Sequence, residues 1–234
     1  MASGARQSAA VDETRSKLLR AAFAVFTEGG YHGSTIREIC KRANVNIALV
    51  NYHFGDKLEL YTEVLRYTMK DPTQIRGFTD LLAQDLEPEL ILRQFIRLMM
   101  NRIMQRREQG HLQMQLILHE LARPTPAIAR VVDESIKPLH QQLRSLLAQI
   151  LGLSPDDDKT RLCAQSIVGQ VIHYAHHAPV LARLWPELKM TPTQMDMVAS
   201  HIADFSLAYL RAFRSEHSGE RVERKEKKSG RSSG

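Results

Sequence analysis

Cysteine is scarce in this chain. Its two copies, Cys40 and Cys163, stand far apart and form no CxxC pair, so neither a disulfide framework nor zinc-ligand spacing is present. Long apolar runs are missing as well. None approaches the ~18 residues that a membrane span needs, and the opening MASGARQSAAVDETR has no apolar stretch of the kind a signal peptide carries. A reduced, cytoplasmic chain with no membrane partner is expected. Enzyme signatures are absent too: there is no G-x-S-x-G, no H-E-x-x-H, no phosphate-binding loop and no dinucleotide fingerprint. His119-Glu120 lacks a second histidine. Nothing alternates with period 2 over a useful length, and no internal repeat stands out.

What is present is helical periodicity in an ordinary soluble composition. Of 234 residues, 43% are hydrophobic and 25% charged, enough for a sizeable core. The net charge of +6, from 32 basic and 26 acidic residues, is a weak pointer to an acidic partner. Residues 219–234 hold half of that excess, which reads as a solvated tail.

Apolar residues recur at helical spacing from the start. Leu18, Leu19, Ala22, Val25 and Phe26 form one stripe, and Gly29-Gly30 offers a stop. Thr35 with Glu38 is a capping box for a second helix, whose buried side is Ile36, Ile39, Cys40 and Ala43. Asn44 suits a left-handed turn. Asn46 is a good N-cap for a third, short helix, and Val45 with Val50 makes a hydrophobic staple. Asp56 caps a fourth helix carrying Leu58, Leu60, Tyr61, Val64 and Leu65, which Asp71-Pro72 interrupts. Further amphipathic segments are predicted over roughly 74–85, 88–108, 111–122, 125–151, 158–178 and 192–214. An all-α fold follows. We expect a disordered tail over 1–11, a three-helix DNA-binding domain over 12–57, a helical ligand-binding and dimerisation domain over 58–215, and a disordered basic tail over 216–234.

Two short helices joined by a tight turn have the spacing of a helix-turn-helix. The second has an outer face bearing Asn46, Ala48, Asn51 and Tyr52, with Ile47 near it. Asn can pair bidentately with adenine, and Ala or Ile can meet a thymine methyl. Tyr52, His53 and Lys57 lie at the far end, where their polar groups can bind phosphate oxygens. Any two short helices of an all-α protein give a similar pattern.

The block LLRAAFAVFTEGGYHGSTIREICKRANVNIALVNYHFGDKLELY, residues 18–61, resembles the DNA-binding domain of the TetR family of transcriptional regulators. The matching features are Ala21-Ala22, Phe26, Gly30-Tyr31, Thr35, Ile39, Ala43, Val45, His53-Phe54 and Lys57. The resemblance implies that Thr35, Tyr52, His53 and Lys57 bind the phosphate backbone and that Arg37, Ile47, Ala48 and Leu49 reach bases. The chain departs from the family pattern at Asn44, Asn46, Ala48 and Asn51. Asn51 stands where a phosphate-binding tyrosine is usual, which makes it a candidate base reader.

The resemblance further implies a C-terminal helical domain that dimerises and binds an unknown small-molecule effector, with a double-stranded DNA operator as partner. HELARPTPAIARVVDESIKPL and SIVGQVIHYAHHAPVL resemble the CecR-like branch. Val198, Ile202, Phe205 and Tyr209 recur at spacings of three and four, and Ile167 and Val171 continue a second stripe. These six are the expected dimer interface, with an intramolecular core as the alternative. Met99, Met100, Met104, Met114 and Trp185 are candidates to line an adaptable apolar pocket, though ordinary core is as good a reading. Arg97, His119, His173 and His177 are candidate polar contacts for an effector. His173, His176 and His177 lack a neighbouring carboxylate or cysteine at ligand spacing, so no metal and no cofactor is expected. The function expected is a ligand-responsive, dimeric repressor. Its rivals are an all-α metal-dependent enzyme and a helical protein-interaction module.

Overall fold

The computed structural model describes the backbone of residues 2–69, 72–109 and 111–229, and side chains over 11–68, 76–102, 115–174, 177 and 179–217. Among these residues there is helix and no strand. The order is α1 (Ala2–Gly33), α2 (Ile36–Ala43), α3 (Ile47–Phe54), α4 (Lys57–Met69), α5 (Pro72–Leu82), α6 (Pro88–Gln109), α7 (His111–Ala122), α8 (Pro126–Val131), a π-helical turn (Val132–Ile136), α9 (Lys137–Leu151), α10 (Asp158–His176), α11 (Ala178–Leu184) and α12 (Pro192–Ser229). No helix among the described residues is long and apolar enough to cross a membrane.

Two compact units form. One joins Met1–Pro72 to Arg106–Pro138; the other joins Thr73–Gln105 to Leu139–Gly234. A division after Lys57 is therefore not where the chain parts. The reason is α4. Its Leu60, Tyr61, Val64 and Leu65 are buried in the same cluster as Phe26 of α1, Ile39 of α2 and Val50 of α3, and Leu116 and Val131 complete that cluster. Each large apolar side chain so buried contributes roughly 1.5–3 kcal/mol, so α4 cannot leave this core cheaply.

The short helices of the first unit end as their sequence dictates. In α1 the helical backbone breaks at Gly30, at φ 64° and ψ −177°, a combination that only glycine adopts readily. Thr35 Oγ1 accepts the Glu38 N–H at 3.2 Å. The other half of the capping box is replaced, since the Glu38 carboxylate meets Arg42 at 3.3 Å. Asn44 lies in the left-handed region, at φ 53° and ψ 50°, and Asp56 Oδ1 accepts the Glu59 N–H at 2.9 Å.

The second unit has its own core. Phe78 of α5 and Phe95 of α6 pack at 4.3 Å between ring centroids, over Leu143, Leu147 and Ile150 of α9 and the buried sides of α10 and α12.

The helix predicted over 125–151 runs as continuous right-handed helical backbone through α8, the π-helical turn and α9. A further short helix, α11, follows α10 after a break at His177; proline is tolerated in a helix's first turn because no intrahelical acceptor is needed there, and Pro179 sits at that position. In the stretches read as tails the backbone is helical from Ala2 and on to Ser229, and Ala, Glu, Lys and Arg there are strong helix formers. Residues 1 and 230–234 of those tails lie outside the described residues.

Candidate DNA-binding site

The turn between α2 and α3 is closed by backbone. Val45 N–H donates to the Cys40 carbonyl at 3.0 Å, and Asn44 N–H to that of Lys41 at 3.3 Å. Asn46 then caps α3, its Oδ1 accepting the Ala48 N–H at 3.0 Å. Val50 and Phe54 are buried beneath, and Val45 packs on the same cluster. An eight-residue helix would not persist alone in water; here the core fixes one side of it and leaves the other to solvent.

That free side carries Ile47, Ala48, Asn51 and Tyr52. Tyr52 is the most open at 74% exposed, and Ile47 is at 42%; Ala48 and Asn51 are also exposed. Leu49 is not among them. It is half-buried and packs against the core of the first unit, so its expected reach toward bases is corrected: one residue's rotation on α3 turns it inward. Asn46 is exposed, but its carbonyl oxygen is committed to the cap. Bidentate pairing with adenine needs both amide atoms, and only the Asn46 NH2 is unengaged by the cap.

Several polar groups flank α3. The Thr35 hydroxyl accepts the cap bond and keeps its proton to donate. His53 lies between Tyr52 and Phe54, at 5.1 and 6.1 Å ring to ring. Lys57 starts α4 with its ammonium 4.5 Å from the centre of the Tyr31 ring, and burial holds it below the usual lysine range. Arg37 and Lys41 are exposed one turn apart on α2, with no carboxylate at ion-pair distance among the described residues. Lys41 escaped the sequence reading; its place four residues after Arg37 was the available signal. Arg42 is spent differently, held by Glu28 of α1 at 2.6 and 2.5 Å. That pairing raises the guanidinium and lowers the carboxyl relative to their ordinary values, the hydrogen bond being the main cause in each.

The expected effector contacts do not converge. His119 belongs to the first unit, where it lines a shallow groove with Thr27, Glu28, Gln115 and Leu118. Arg97, Met100, His173, His177 and Trp185 belong to the second. Met100 is fully buried in that unit's core, so it lines no open site. His173 and His177 stack at 4.7 Å on the surface, and Trp185 is half-exposed beyond α11. Arg97 lines a groove of about 540 Å³ with Gly77, Leu81, Leu90, Arg93 and Leu98, and it pairs with Asp196 at 3.2 Å. The side chains of Met104, Met114 and His176 lie outside the described residues. No group of three or more His, Cys, Asp or Glu among the described residues is placed to hold a metal ion.

The expected dimer contacts are also corrected in part. Ile167, Val171, Val198 and Ile202 are at most 3% exposed and sit in the chain's own core. Phe205 and Tyr209 face outward.

A turn-linked pair of helices with one buried and one open face has the form of a helix-turn-helix, and comparison with known proteins places it in a DNA-binding transcriptional regulator. Residues 18–64 match the family of bacterial regulatory proteins called tetR, and residues 88–213 match the C-terminal domain of the HTH-type transcriptional dual regulator CecR. The chain belongs to the TetR family, with a C-terminal domain of the CecR type; it is a regulator and not an enzyme. It is 28% identical to CecR of Shigella flexneri over 170 residues, which cover 70% of this chain and 76% of that protein. The fold resembles a putative transcriptional regulator from Pseudomonas aeruginosa PAO1, with a TM-score of 0.64 at 21% identity, covering 87% of this chain and 95% of the other. It also resembles FadR of Bacillus subtilis, solved in complex with stearoyl-CoA, with a TM-score of 0.58 at 16% identity over 82% of this chain and 96% of that one.

Proposed function

We propose that the protein is a cytoplasmic repressor that binds a pseudo-palindromic operator as a homodimer and leaves it when a small-molecule effector binds. The observation that carries this is α3, whose outer face holds Ile47, Ala48, Asn51 and Tyr52 free while Val50 and Phe54 anchor the other side. Asn51 is the base reader, with both amide atoms of its side chain available for adenine, and Ile47 and Ala48 meet thymine methyls. Thr35, Arg37, Lys41, Tyr52, His53 and Lys57 hold phosphates and set register. Two copies place their α3 helices one DNA turn, ~34–36 Å, or a multiple of it, apart.

Selection of bound sequences from a random DNA pool tests this. An enriched motif with two-fold symmetry, bound with a steep loss as salt rises, is expected; no enrichment at any salt concentration would sink the proposal.

The effector site we favour is the groove lined by Arg97. Arg93 and Arg97 stand beside Leu81, Leu90 and Leu98, although each arginine already pairs with an aspartate of α12. An effector with an apolar body and an acidic group suits those side chains. Such a ligand shifts the protein only by its difference in affinity between the bound and released states, and α4, which follows α3 directly, is the element through which α3 would move. A panel of medium- and long-chain fatty acids should release the operator from wild type but not from Arg93→Ala/Arg97→Ala; equal release from both moves the site elsewhere.

A further inference from the structure

Two large apolar side chains of α7 face solvent close to a carboxylate. Leu118 is 48% exposed and Leu121 59%; three positions apart, they share one face of the helix. The opposite side of α7 is the buried one, with Leu116 and Glu120 in the interior of the first unit. At Leu118 opens a groove of about 520 Å³ between α1 and α7, lined also by Thr27, Glu28, Gln115 and His119. Thr27, 2% exposed, lies at its bottom. The break in α1 lets His119 close in, since a Cβ on Gly30 would come 3.3 Å from Nδ1 of the imidazole.

The lining selects the charge of an occupant. Glu28 brings a carboxylate and Gln115 a carbonyl oxygen, and among the described residues neither a lysine nor an arginine lines the groove. An anion would be repelled by Glu28 and a cation drawn to it. Leu118, and Leu121 one turn on, offer apolar surface to whatever body that cation carries.

Glu28 already has a partner. Arg42 of α2 donates to its two oxygens at 2.6 and 2.5 Å, in an exposed pair of the kind that is weak in water. Arg42 also reaches a second carboxylate, that of Glu38 on α2 itself, at 3.3 Å. A cation that takes Glu28 therefore leaves no guanidinium stranded. It exchanges a link between α1 and α2 for one inside α2.

We propose that this groove is a second ligand site. It takes an amphipathic monocation, whose ammonium displaces Arg42 from Glu28 and whose apolar body lies on Leu118 and Leu121. The site is separate from the groove of Arg97, which lies in the other unit and suits an acidic group. Since α2 is the first helix of the helix-turn-helix, such a ligand acts on the DNA-binding head directly. Loss of one exposed pair shifts an equilibrium about five-fold at most, and that bounds its effect on DNA affinity.

Methyl NMR of the full chain tests this, by titration at neutral pH with octylamine, octan-1-ol and octanoate. The amine is charged there, as lysine is. Octylamine should move the Leu118 and Leu121 methyl signals to saturation, while the alcohol and the carboxylate bind at least about 3-fold more weakly. Arg42→Ala removes the competitor and should tighten octylamine by about 2–5-fold; Glu28→Gln should weaken it at least about 3-fold, to the level of the alcohol. Arg20→Ala removes another exposed cation, on α1, and should leave the Kd as in wild type. All three altered residues are exposed, and the methyl spectrum reports whether each variant is folded. No movement of the Leu118 and Leu121 signals overturns the site. Equal affinity for the three compounds overturns the preference for a cation. Arg42→Ala binding no tighter than Arg20→Ala overturns the displacement, and should Arg42→Ala fail to fold, Glu28→Gln decides: wild-type affinity in that variant refutes the proposal.

Discussion

The hydroxyl of Tyr61 donates to Oε2 of Glu120 at 2.7 Å inside the first unit. Glu120 is 1% exposed, and its other oxygen accepts the backbone N–H of Thr125 at 2.7 Å and the Thr125 hydroxyl at 3.0 Å. One carboxyl thus ties α4 to α7 and to the N-cap of α8. Burial, and then the hydrogen bond to Glu120, push the Tyr61 hydroxyl far above the ordinary tyrosine range.

Substitutions at this contact should rank in a particular order. Tyr61→Phe leaves Oε2 without a donor and should cost about 1–3 kcal/mol. Glu120→Ala strands three donors and should cost more. Glu120→Gln should be the mildest, because its amide N–H2 can donate to the Tyr61 oxygen while its carbonyl keeps both Thr125 bonds. Urea unfolding of the three variants checks the order; a Gln variant worse than the Phe variant would show that charge, not geometry, is what α4 needs.

Gly30→Ala should destabilise the first unit by about 1–3 kcal/mol, the cost of holding a side chain in a backbone region that only glycine favours. The added Cβ would also come 3.3 Å from Nδ1 of His119. Adding His119→Ala removes that neighbour but not the backbone strain, so the double variant should recover only part of the loss in thermal melts.

The two asparagines of α3 should separate in DNA selection. Asn51→Ala should change preference at one base position by about 1–3 kcal/mol. Asn46→Asp keeps the cap and should retain the fold, whereas Asn46→Ala should lose about 1 kcal/mol of stability with little change in preference. Lys57→Ala should weaken binding to all sequences alike and flatten the salt dependence. A changed motif from Asn46→Ala would return that residue to base reading.

His140 should make the second unit sensitive to mild acid. Burial, and then the charge of Arg144, hold its imidazole below the usual histidine range, and its Nε2 is buried without a partner among the described residues. A depressed pKa means that the unfolded chain takes up a proton first. The contribution is therefore full above about pH 6.5 and declines as pH falls from there toward the folded value. Melting temperatures of wild type and His140→Gln between pH 7.5 and 5 should converge or cross as the wild type loses this contribution; parallel curves would contradict it.

Residues close together in sequence were legible from it. Helix periods, the caps at Thr35, Asn46 and Asp56, the left-handed Asn44 and the turn that aims α3 all depend on contacts within about four positions. Their chemistry is local, and the family likeness of residues 18–61 runs through the same positions. Which side of a helix faces its own core depends instead on partners far away in the chain. A stripe of Ile167, Val171, Val198 and Ile202 looks the same whether another copy or the chain's own core covers it. Only the packing of α10 and α12 against α6 and α9 showed these four to be interior and left Phe205 and Tyr209 outside. The edge of the first unit was equally hidden. The sequence by itself determined the helices and the turn; tertiary structure decided that α4, through Tyr61 and Glu120, belongs with the DNA-binding head, because a buried carboxyl must find its donors wherever the fold brings them.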